Sequence, residues 1–580
     1  MESFRLSDIR IRTFGWIQNP GDFKKLKRTV QIFDHTSAVH VELKTKRIPR
    51  LITEKDGRDK FIKILNQIPL EIKYSDLVGS KNGKTRKDST CNGILQAALE
   101  GQSREYLDNW SSDGFVRWAH ALGFIDYNYL EDSFHITQIG FDYSRSINDS
   151  DGEKRILIDA ILSYPPAIRV LDLLSLGEHL TKFDIGKNLG FSGESGFTSL
   201  PLNIMIQTLA DPDFVKDKSK IRQNWEGSSD KYARMISGWL SKLGLVKKER
   251  KKFDAISNGI KYKEYIPHAF KITADGLRQL RRAKGTTSAK RIKKRVCWEM
   301  FATKELDRVY LRTRRSYILK FLEKANGLIS LEKIKSKLLE KGYDENIETI
   351  KYDIEGLINI GLNIEETSHG YSLRDSINDF MIPLAEVNDV IKSDIEMSKA
   401  NMRANLRLLS HDYIELIEIA QEPSQNRVFE MKVMDLFVNE YGFSGSHLGG
   451  SRKPDGAMYS DDFGIIVDTK AYKDGYNLPI NQADEMERYV RENIDRNVQA
   501  TPNKWWDIFP NNICEYKFLF VSGFFKGNFE NQIERISINT GVAGGALNVE
   551  NLLLGAEYIK RNVINLYDFK NRFLNKEINF

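Results

Sequence analysis

Asn109-Trp-Ser-Ser-Asp-Gly-Phe-Val-Arg-Trp118 runs into Ala121-Leu-Gly-Phe124. A second copy of the pattern, Asn224-Trp-Glu-Gly-Ser-Ser-Asp-Lys-Tyr-Ala-Arg234, runs into Lys242-Leu-Gly-Leu245. Aligned on Ser-Ser-Asp, each copy has an aromatic residue two positions on and an arginine two after that. The second copy is four residues longer before its Leu-Gly, about one helical turn. The match resumes at Phe134-His-Ile-Thr-Gln-Ile-Gly140 and Phe270-Lys-Ile-Thr-Ala-Asp-Gly276. Ser-Ser-Asp offers side-chain oxygens to free N–H groups, which predicts a helix N-cap. Leu-Gly predicts the helix end, with glycine in the left-handed conformation. The polar stretches Asp126 to Ser133 and Glu249 to Tyr262 predict the turns of β-hairpins. A helix followed by a hairpin is the layout of a winged helix-turn-helix, whose second helix lies in the DNA major groove with base-reading groups near its N-terminus.

A third unit is expected in Leu331–Asp375. Ile334, Leu338 and Leu339 mark one helix, and Ile347, Ile350, Ile354, Leu357 and Ile358 the next. Gly361 ends it, and a hairpin follows. The second helix and its approach carry Glu345, Glu348, Asp353 and Glu355 against Lys351 alone, so phosphates would be repelled and protein contacts are expected. Between the second and third units lies a basic stretch: Arg278, Arg281, Arg282, Lys284, Lys290, Arg291, Lys293, Lys294 and Arg295. Such density suits phosphate neutralisation with counterion release, although a solvated helix end and linker would look the same. The wing lysines and arginine, Lys247, Lys248, Arg250, Lys251 and Lys252, point to phosphates as well.

The chain has 580 residues, enough for three to five domains, and its 29% charged and 41% hydrophobic content is ordinary globular usage. Its net charge of +7 hides a division. Residues 389–580 hold 22 Lys and Arg against 28 Asp and Glu, and residues 1–388 hold 65 against 52. A basic block thus precedes an acidic one. The three cysteines, Cys91, Cys297 and Cys514, are too far apart for a zinc motif or disulfide framework. No run of eighteen apolar residues exists, and the start, Met1-Glu-Ser-Phe-Arg, lacks a signal-peptide core. A reduced, soluble cytoplasmic protein with no membrane partner is expected. Gly79-Ser-Lys-Asn-Gly83-Lys-Thr85 is one residue too short between its glycines for a phosphate-binding Walker loop.

The pattern changes near Val387. A charged helical segment, Val390 to Leu408, a short helix at Tyr413–Ala420 and an amphipathic helix at Arg427–Tyr441 are expected. Then come Gly449-Gly-Ser-Arg-Lys-Pro-Asp455-Gly-Ala-Met-Tyr and Gly464-Ile-Ile-Val-Asp468-Thr-Lys470. Pro454-Asp455 opens one strand of a hairpin turning at Ser460-Asp-Asp462, and Ile465–Val467 reads as a buried strand whose polar residues emerge at its end. The two-residue period puts Asp468 and Lys470 on one face, so Asp455, Asp468 and Lys470 can converge at a sheet edge. Two adjoining carboxylates suit a hard divalent cation such as Mg²⁺. A neighbouring lysine can orient or deprotonate the attacking water and neutralise developing charge. The bare motif is weakly specific, and a surface pair between Asp468 and Lys470 would satisfy it too. His447 and His411 stand without partner residues for a histidine–metal nuclease.

His447-Leu-Gly-Gly-Ser-Arg-Lys-Pro-Asp-Gly456, Ile466-Val-Asp-Thr-Lys-Ala-Tyr472 and Asn481-Gln-Ala-Asp-Glu-Met-Glu-Arg-Tyr489 resemble the cleavage domain of FokI-like type IIS restriction endonucleases. The resemblance extends to Thr13-Phe-Gly-Trp-Ile-Gln-Asn-Pro20, Trp110–Phe124, His179–Phe191 and Asn224–Met235, and so spans nearly the whole chain. It implies three winged helix-turn-helix recognition subdomains, mainly α with β-hairpin wings, followed by an α/β PD-(D/E)xK restriction-endonuclease-like cleavage domain. The boundaries expected are 1–150, 151–288 and 289–380 for the recognition units, 381–392 for a linker and 393–580 for the cleavage domain.

The same resemblance implies Mg²⁺ dependence, with Asp455 and Asp468 as metal ligands and Asp455, Asp468 and Lys470 catalytic. One such site per chain implies a transient homodimer, formed in the family through the helix that carries Asp484 and Arg488. Those two are also i,i+4 neighbours, placed for an ordinary intrahelical pair. For reading double-stranded DNA the resemblance points to Gln18, Asn19, Arg86 and Trp110 in the first unit and to Gln223, Glu226, Lys231 and Arg234 in the second. Their chemistry suits base edges: Gln and Asn bridge adenine, Lys and Arg meet guanine, and Glu accepts from cytosine. Trp110 equally suits a core position. The implied site is the asymmetric GGATG, with cleavage at a fixed distance and a companion DNA methyltransferase protecting the prokaryotic host. Two other readings stay open at this point. One is a winged-helix regulator with an inactive nuclease-like domain, and the other a modification-dependent nuclease.

Overall fold

The computed structural model describes residues 13–15, 21–85, 88–177, 179–210, 218–257, 260–287, 291–302, 306–383, 392–449 and 452–580. By contact the chain forms two compact units. One comprises Met1–Phe191, Ser228–Lys251 and Ile266–Ile391, the other Ser192–Gly227, Lys252–Tyr265 and Lys392–Phe580.

The repeat is visible atom by atom. In the first copy, helix α1 (Asn109–Ala121) leads to strands β1 (Ile125–Asn128) and β2 (Ser133–Ile136) and helix α2 (Gln138–Arg145). In the second, helix α3 (Ser228–Lys242) leads to β3 (Val246–Ser257), β4 (Ile260–Ile272) and α4 (Ala274–Ala283). Gly123 and Gly244 sit at φ 79° and 80° just past α1 and α3, the left-handed stop expected of Leu-Gly. Thr137 and Thr273 then cap α2 and α4, accepting from the amides of Gly140 and Gly276. Each threonine amide donates in turn to the residue after Leu-Gly, Phe124 O at 3.1 Å and Leu245 O at 3.0 Å. A Cβ at Gly140 would fall 2.0 Å from Phe124 O, and one at Gly276 2.1 Å from Leu245 O. Glycine is required there by a backbone that passes too close. Short strands complete both modules, Ile72 pairing with Phe134 and Leu180 with Phe270.

The third module repeats the plan with α6 (Leu331–Leu339) and α7 (Ile347–Ile360), preceded by the long helix α5 (Arg308–Ala325). Its wing is β5 (Ile364–Thr367) and β6 (Gly370–Leu373), and Ile329 bridges Tyr371. All three therefore share the winged-helix layout of strand, helices and two-stranded wing.

Four expectations need correction. Ser-Ser-Asp is not a cap. Asp108 caps α1, taking the Ser111 amide at 2.7 Å, while Ser112 and Asp113 lie inside the helix and are fully buried. Asp113 accepts from the Tyr74 hydroxyl at 2.7 Å and Arg117 at 2.8 Å. In α3 the same three residues are the first turn, with Ser229 and Asp230 buried. The polar run from Glu249 to Tyr262 is mostly strand and not turn, because β3 continues to Ser257 and β4 begins at Ile260. The basic stretch is only in part available to phosphates: Arg282 pairs with Asp159 at 2.7 Å and Arg295 with Asp126 at 2.7 Å, Lys284 binds Asp172, and Lys294 is buried, whereas Arg278, Arg281, Arg291 and Lys293 are exposed. Lys290 lies outside the described residues. Finally, Glu345 and Asp353 form no acidic surface. Both are fully buried against Arg314, at 2.8 and 2.6 Å, and Arg315 reaches Asp353 at 2.8 Å. Burial alone would raise the Asp353 carboxyl, but these two guanidinium groups outweigh it and hold it below the usual range.

The second unit is built on a five-stranded sheet. In chain order its strands are β7 (Ser444–His447), β8 (Gly456–Tyr459), β9 (Phe463–Lys470), β10 (Glu515–Ser522) and β11 (Gly544–Asn548), adjacent in that same order. The first two junctions are antiparallel and the last two parallel. Central strands buried on both faces read as near-continuous apolar runs, which is why Phe463–Val467 and Phe518–Val521 lack alternation. Helices α9 (Ile480–Asp495) and α10 (Phe529–Thr540) supply Met486, Tyr489, Val490, Ile533 and Ile536 to a core with Ala457, Ile466, Phe518 and Phe520. Helix α8 (Asn426–Leu436) is packed so closely that a Cβ at Gly456 would meet Met434 Sδ at 2.3 Å.

Substituting Gly140 or Gly276 by alanine should lower stability in urea unfolding by about 2–3 kcal/mol. Gly238→Ala, inside α3 with nothing within 4 Å of the new Cβ, should raise it by about 0.5–1 kcal/mol. Equal effects at all three positions would contradict the close-approach account.

Candidate active site

Strand β9 enters the sheet apolar and leaves it charged. Its ladder with β8 ends on the Gly456–Val467 pair, so Asp455 and Asp468 fall opposite one another just beyond. Lys470 Nζ lies 2.9 Å from Asp468 Oδ1 and 3.8 Å from Asp455 Oδ2. The three residues thus converge, on the face that carries Ala457 and Ile466 into the core. Asp468 is buried, and Asp455 and Lys470 are half-buried.

The electrostatics are tense. Burial pushes the Asp468 carboxyl up, the Asp455 charge pushes it further, and Lys470 recovers only part, leaving it at about 8. Asp455 is raised as well, first by burial and then by Glu430, against the pull of Lys470. Burial would lower the Lys470 ammonium, but Asp468 and Asp455 outweigh it and hold the group above its ordinary value. Two hard oxygen donors that repel one another beside a fixed cation fit a divalent metal ion such as Mg²⁺.

Four residues unremarked in the sequence support this edge. Thr469, between the aspartate and the lysine, donates its amide (2.8 Å) and hydroxyl (3.1 Å) to Asp455 Oδ2. Asn426, opening α8, accepts the Ala471 amide at 3.0 Å and donates to Glu430 Oε1 at 2.6 Å. Glu430 Oε2 lies 3.1 Å from His447 Nε2, so His447 does have a partner. Ser522 closes the far side, donating to Lys470 O at 2.7 Å.

The other expected site residues are dispersed. Trp110 is the second residue of α1 and half-buried. Glu226 is half-buried two residues before α3 begins, and Lys231 and Arg234 stand one turn apart on that helix, both half-buried. The arginine aligned with Arg234 in the repeat, Arg117, is locked in the core with Asp113. Gln223 lies in the helix Lys218–Asn224 with its side chain outside the description, and Gln18, Asn19 and Arg86 lie outside the described residues. Asp484 and Arg488 do not pair with one another. Asp484, which is exposed, reaches Arg535 on α10 at 2.7 Å, and Arg488 binds Glu492 at 2.9 Å and Glu485 at 3.5 Å. Among the described residues, no helix is long and apolar enough to cross a membrane.

Comparison with known proteins accounts for this architecture along the chain. Residues 12–146 match the FokI recognition domain, subdomain 1; residues 153–288 match subdomain 2; residues 301–369 match the FokI D3 domain; and residues 392–579 match the FokI cleavage domain. The type II restriction enzyme FokI of Planomicrobium okeanokoites is 54% identical over 579 residues, covering 98% of this chain and all (100%) of that one. The type II restriction enzyme StsI of Streptococcus sanguinis is 32% identical, covering 99% of this chain and 97% of its own. A solved structure of FokI superposes with a TM-score of 0.91 at 54% identity, and one of FokI bound to DNA with 0.91 at 53%, each covering 98% of this chain and 100% of the other. The chain belongs to the FokI family of type II restriction endonucleases.

Proposed function

We propose that this chain is a type IIS endonuclease that binds double-stranded DNA at the asymmetric site GGATG and hydrolyses both strands at a fixed distance from it. The observation that carries the reading is the convergence of Asp455, Asp468 and Lys470 at the charged end of β9. The modules at 1–150 and 151–288 read the sequence, that at 289–380 makes protein contacts, and residues 393–580, joined through the linker 381–392, cut.

In this reading Asp455 and Asp468 hold Mg²⁺, which would polarise the scissile phosphate and stabilise the leaving oxygen. Thr469 fixes the rotamer of Asp455 through two hydrogen bonds. Lys470 keeps its proton beside the two carboxylates, so its Nζ orients the attacking water and neutralises the charge that develops on the phosphate. The products are 5′-phosphate and 3′-hydroxyl ends. Among the reading residues, Lys231 and Arg234 project from the first two turns of α3, where a recognition helix meets base edges. Gln18, Asn19, Arg86, Trp110, Gln223 and Glu226 complete the proposed contacts. A DNA methyltransferase of the same specificity would protect the host genome.

Asp455→Ala and Asp468→Ala should each reduce Mg²⁺-dependent cleavage of a GGATG plasmid by at least about a thousandfold while footprinting on the site persists. Lys470→Ala should do the same. Wild-type protein that binds without cutting would favour a regulator, and cutting restricted to methylated DNA a modification-dependent nuclease.

One site per chain calls for a transient pair of cleavage domains, joined through the α9 surface that bears Asp484 and Arg488. Double-strand cleavage should therefore rise more than linearly with enzyme concentration. The double substitution Asp484→Ala, Arg488→Ala should slow it about tenfold or more without loss of site binding. A rate strictly proportional to concentration in both proteins would contradict this arrangement.

A further inference from the structure

His120, Cys297 and Glu299 meet in the first unit, whereas the residues assigned to cutting belong to the second. Each is buried, with exposures of 5%, 8% and 2%. One ligand atom from each lies within 4.8 Å of the other two. His120 stands in the last turn of α1, whereas Cys297 and Glu299 flank the start of the short turn Trp298–Phe301. Chain segments 177 residues apart, from His120 to Cys297, thus bring an imidazole, a thiol and a carboxylate together.

The surroundings hold these groups in place. Arg295 donates from Nε to His120 O at 3.0 Å and pairs with Asp126 at 2.7 Å, which anchors the end of α1 to the start of the wing. His120 Nδ1 lies 3.3 Å from Ile125 O. A hydrogen bond to that carbonyl puts the proton on Nδ1 and the lone pair on Nε2, the usual state of a metal-binding histidine. The rings of Phe134 and Tyr127 stand edge-on to the imidazole at 5.9 and 6.3 Å. The Tyr129 hydroxyl lies 3.3 Å from both Glu299 oxygens, a contact that orients the carboxylate.

We propose that His120, Cys297 and Glu299 form a structural zinc site, distinct from the carboxylate pair of the nuclease centre. The donor set selects the metal: thiolate and imidazole suit Zn²⁺ and disfavour Mg²⁺, which prefers oxygen alone. A thiolate and a carboxylate offset the charge of the ion while the imidazole stays neutral, and the nearby guanidinium groups of Arg117, Arg295 and Arg312 favour the ionised thiol and carboxyl. On binding, the S–H bond of Cys297 breaks, its proton goes to solvent, and the sulfur electron pair passes to the metal. Tetrahedral zinc with bonds of 2.0–2.3 Å holds its donors roughly 3.3–3.8 Å apart, so side-chain shifts of about 1 Å complete the site. Three protein donors leave the fourth position open to water, unlike the closed four-donor sets of most structural zinc sites, so the role assigned to the ion rests on the two chain segments it would join. The ion would staple the end of α1 to the segment Trp298–Phe301, adding stiffness beneath the first module.

The test uses the full-length protein purified without chelator. Elemental analysis should find one zinc per chain, and after removal of metal, added Zn²⁺ should raise the thermal midpoint. Co²⁺ added to the stripped protein should give a near-ultraviolet thiolate-to-cobalt band. Cys297→Ser and His120→Asn should lose the zinc, the band and the thermal shift, while Cys297→Ser retains Mg²⁺-dependent cleavage. Tyr129→Phe should weaken zinc about tenfold or more. Folded wild-type protein with neither zinc nor the band would overturn the site. So would folded Cys297→Ser or His120→Asn that keeps both, since the ion would then sit elsewhere, for instance at exposed Cys514.

Discussion

Placing two carboxylates and an ammonium group at the end of a central, buried strand is costly, and the residues around that strand end are arranged to offset it. Strand β9 is apolar on both faces until Val467 and then turns charged within three residues. Asp455 reaches the same place because β8 runs antiparallel beside it. Lys470 offsets part of the repulsion, and Thr469, Asn426 and Ser522 tie the strand end to its neighbours. What remains is a pair of carboxyl groups that hold their protons more tightly than ordinary carboxyls do, a state that a divalent cation would relieve. In this account stability is traded for a site whose charges are aimed before any ligand arrives.

The first unit is organised on another constraint, the repeated passage of backbone against backbone at Phe124–Gly140 and Leu245–Gly276. The threonine cap, the glycine and the preceding Leu-Gly stop act together, so each module places its long helix at a set angle to its wing. Some of the basic groups of this half are paired with Asp126, Asp159, Asp172 and Asp353. Net charge therefore says less about a polyanionic partner than do half-buried groups such as Lys231 and Arg234 on α3.

Features with a local period or a self-similar motif were legible in the sequence. The module plan, the hairpin carrying Asp455 and Asp468, and the shared face of Asp468 and Lys470 all follow from spacing. Features made by distant chain were not. Nothing near Thr469 signals that its hydroxyl orients Asp455, and Glu430 and His447 meet only because α8 lies against the sheet. Asp484 and Arg488 have ideal spacing for an intrahelical pair, yet Arg535 from α10 takes the aspartate. Ser-Ser-Asp has cap chemistry, but in the first copy Ser112 is buried inside the helix and Asp113 accepts from Tyr74 and Arg117 in the core. Glu345 and Asp353 look like a surface charge cluster until Arg314 and Arg315, on another helix, enclose them.

The central claim is that reading and cutting are performed by separate parts of one chain. Footprinting on a duplex with one GGATG site, combined with run-off sequencing of the cut ends, tests it most directly. The account predicts protection over the site and cuts on both strands outside the protected stretch, on one side and at a constant offset. Cuts inside the footprint, or scattered without fixed distance from it, would contradict it.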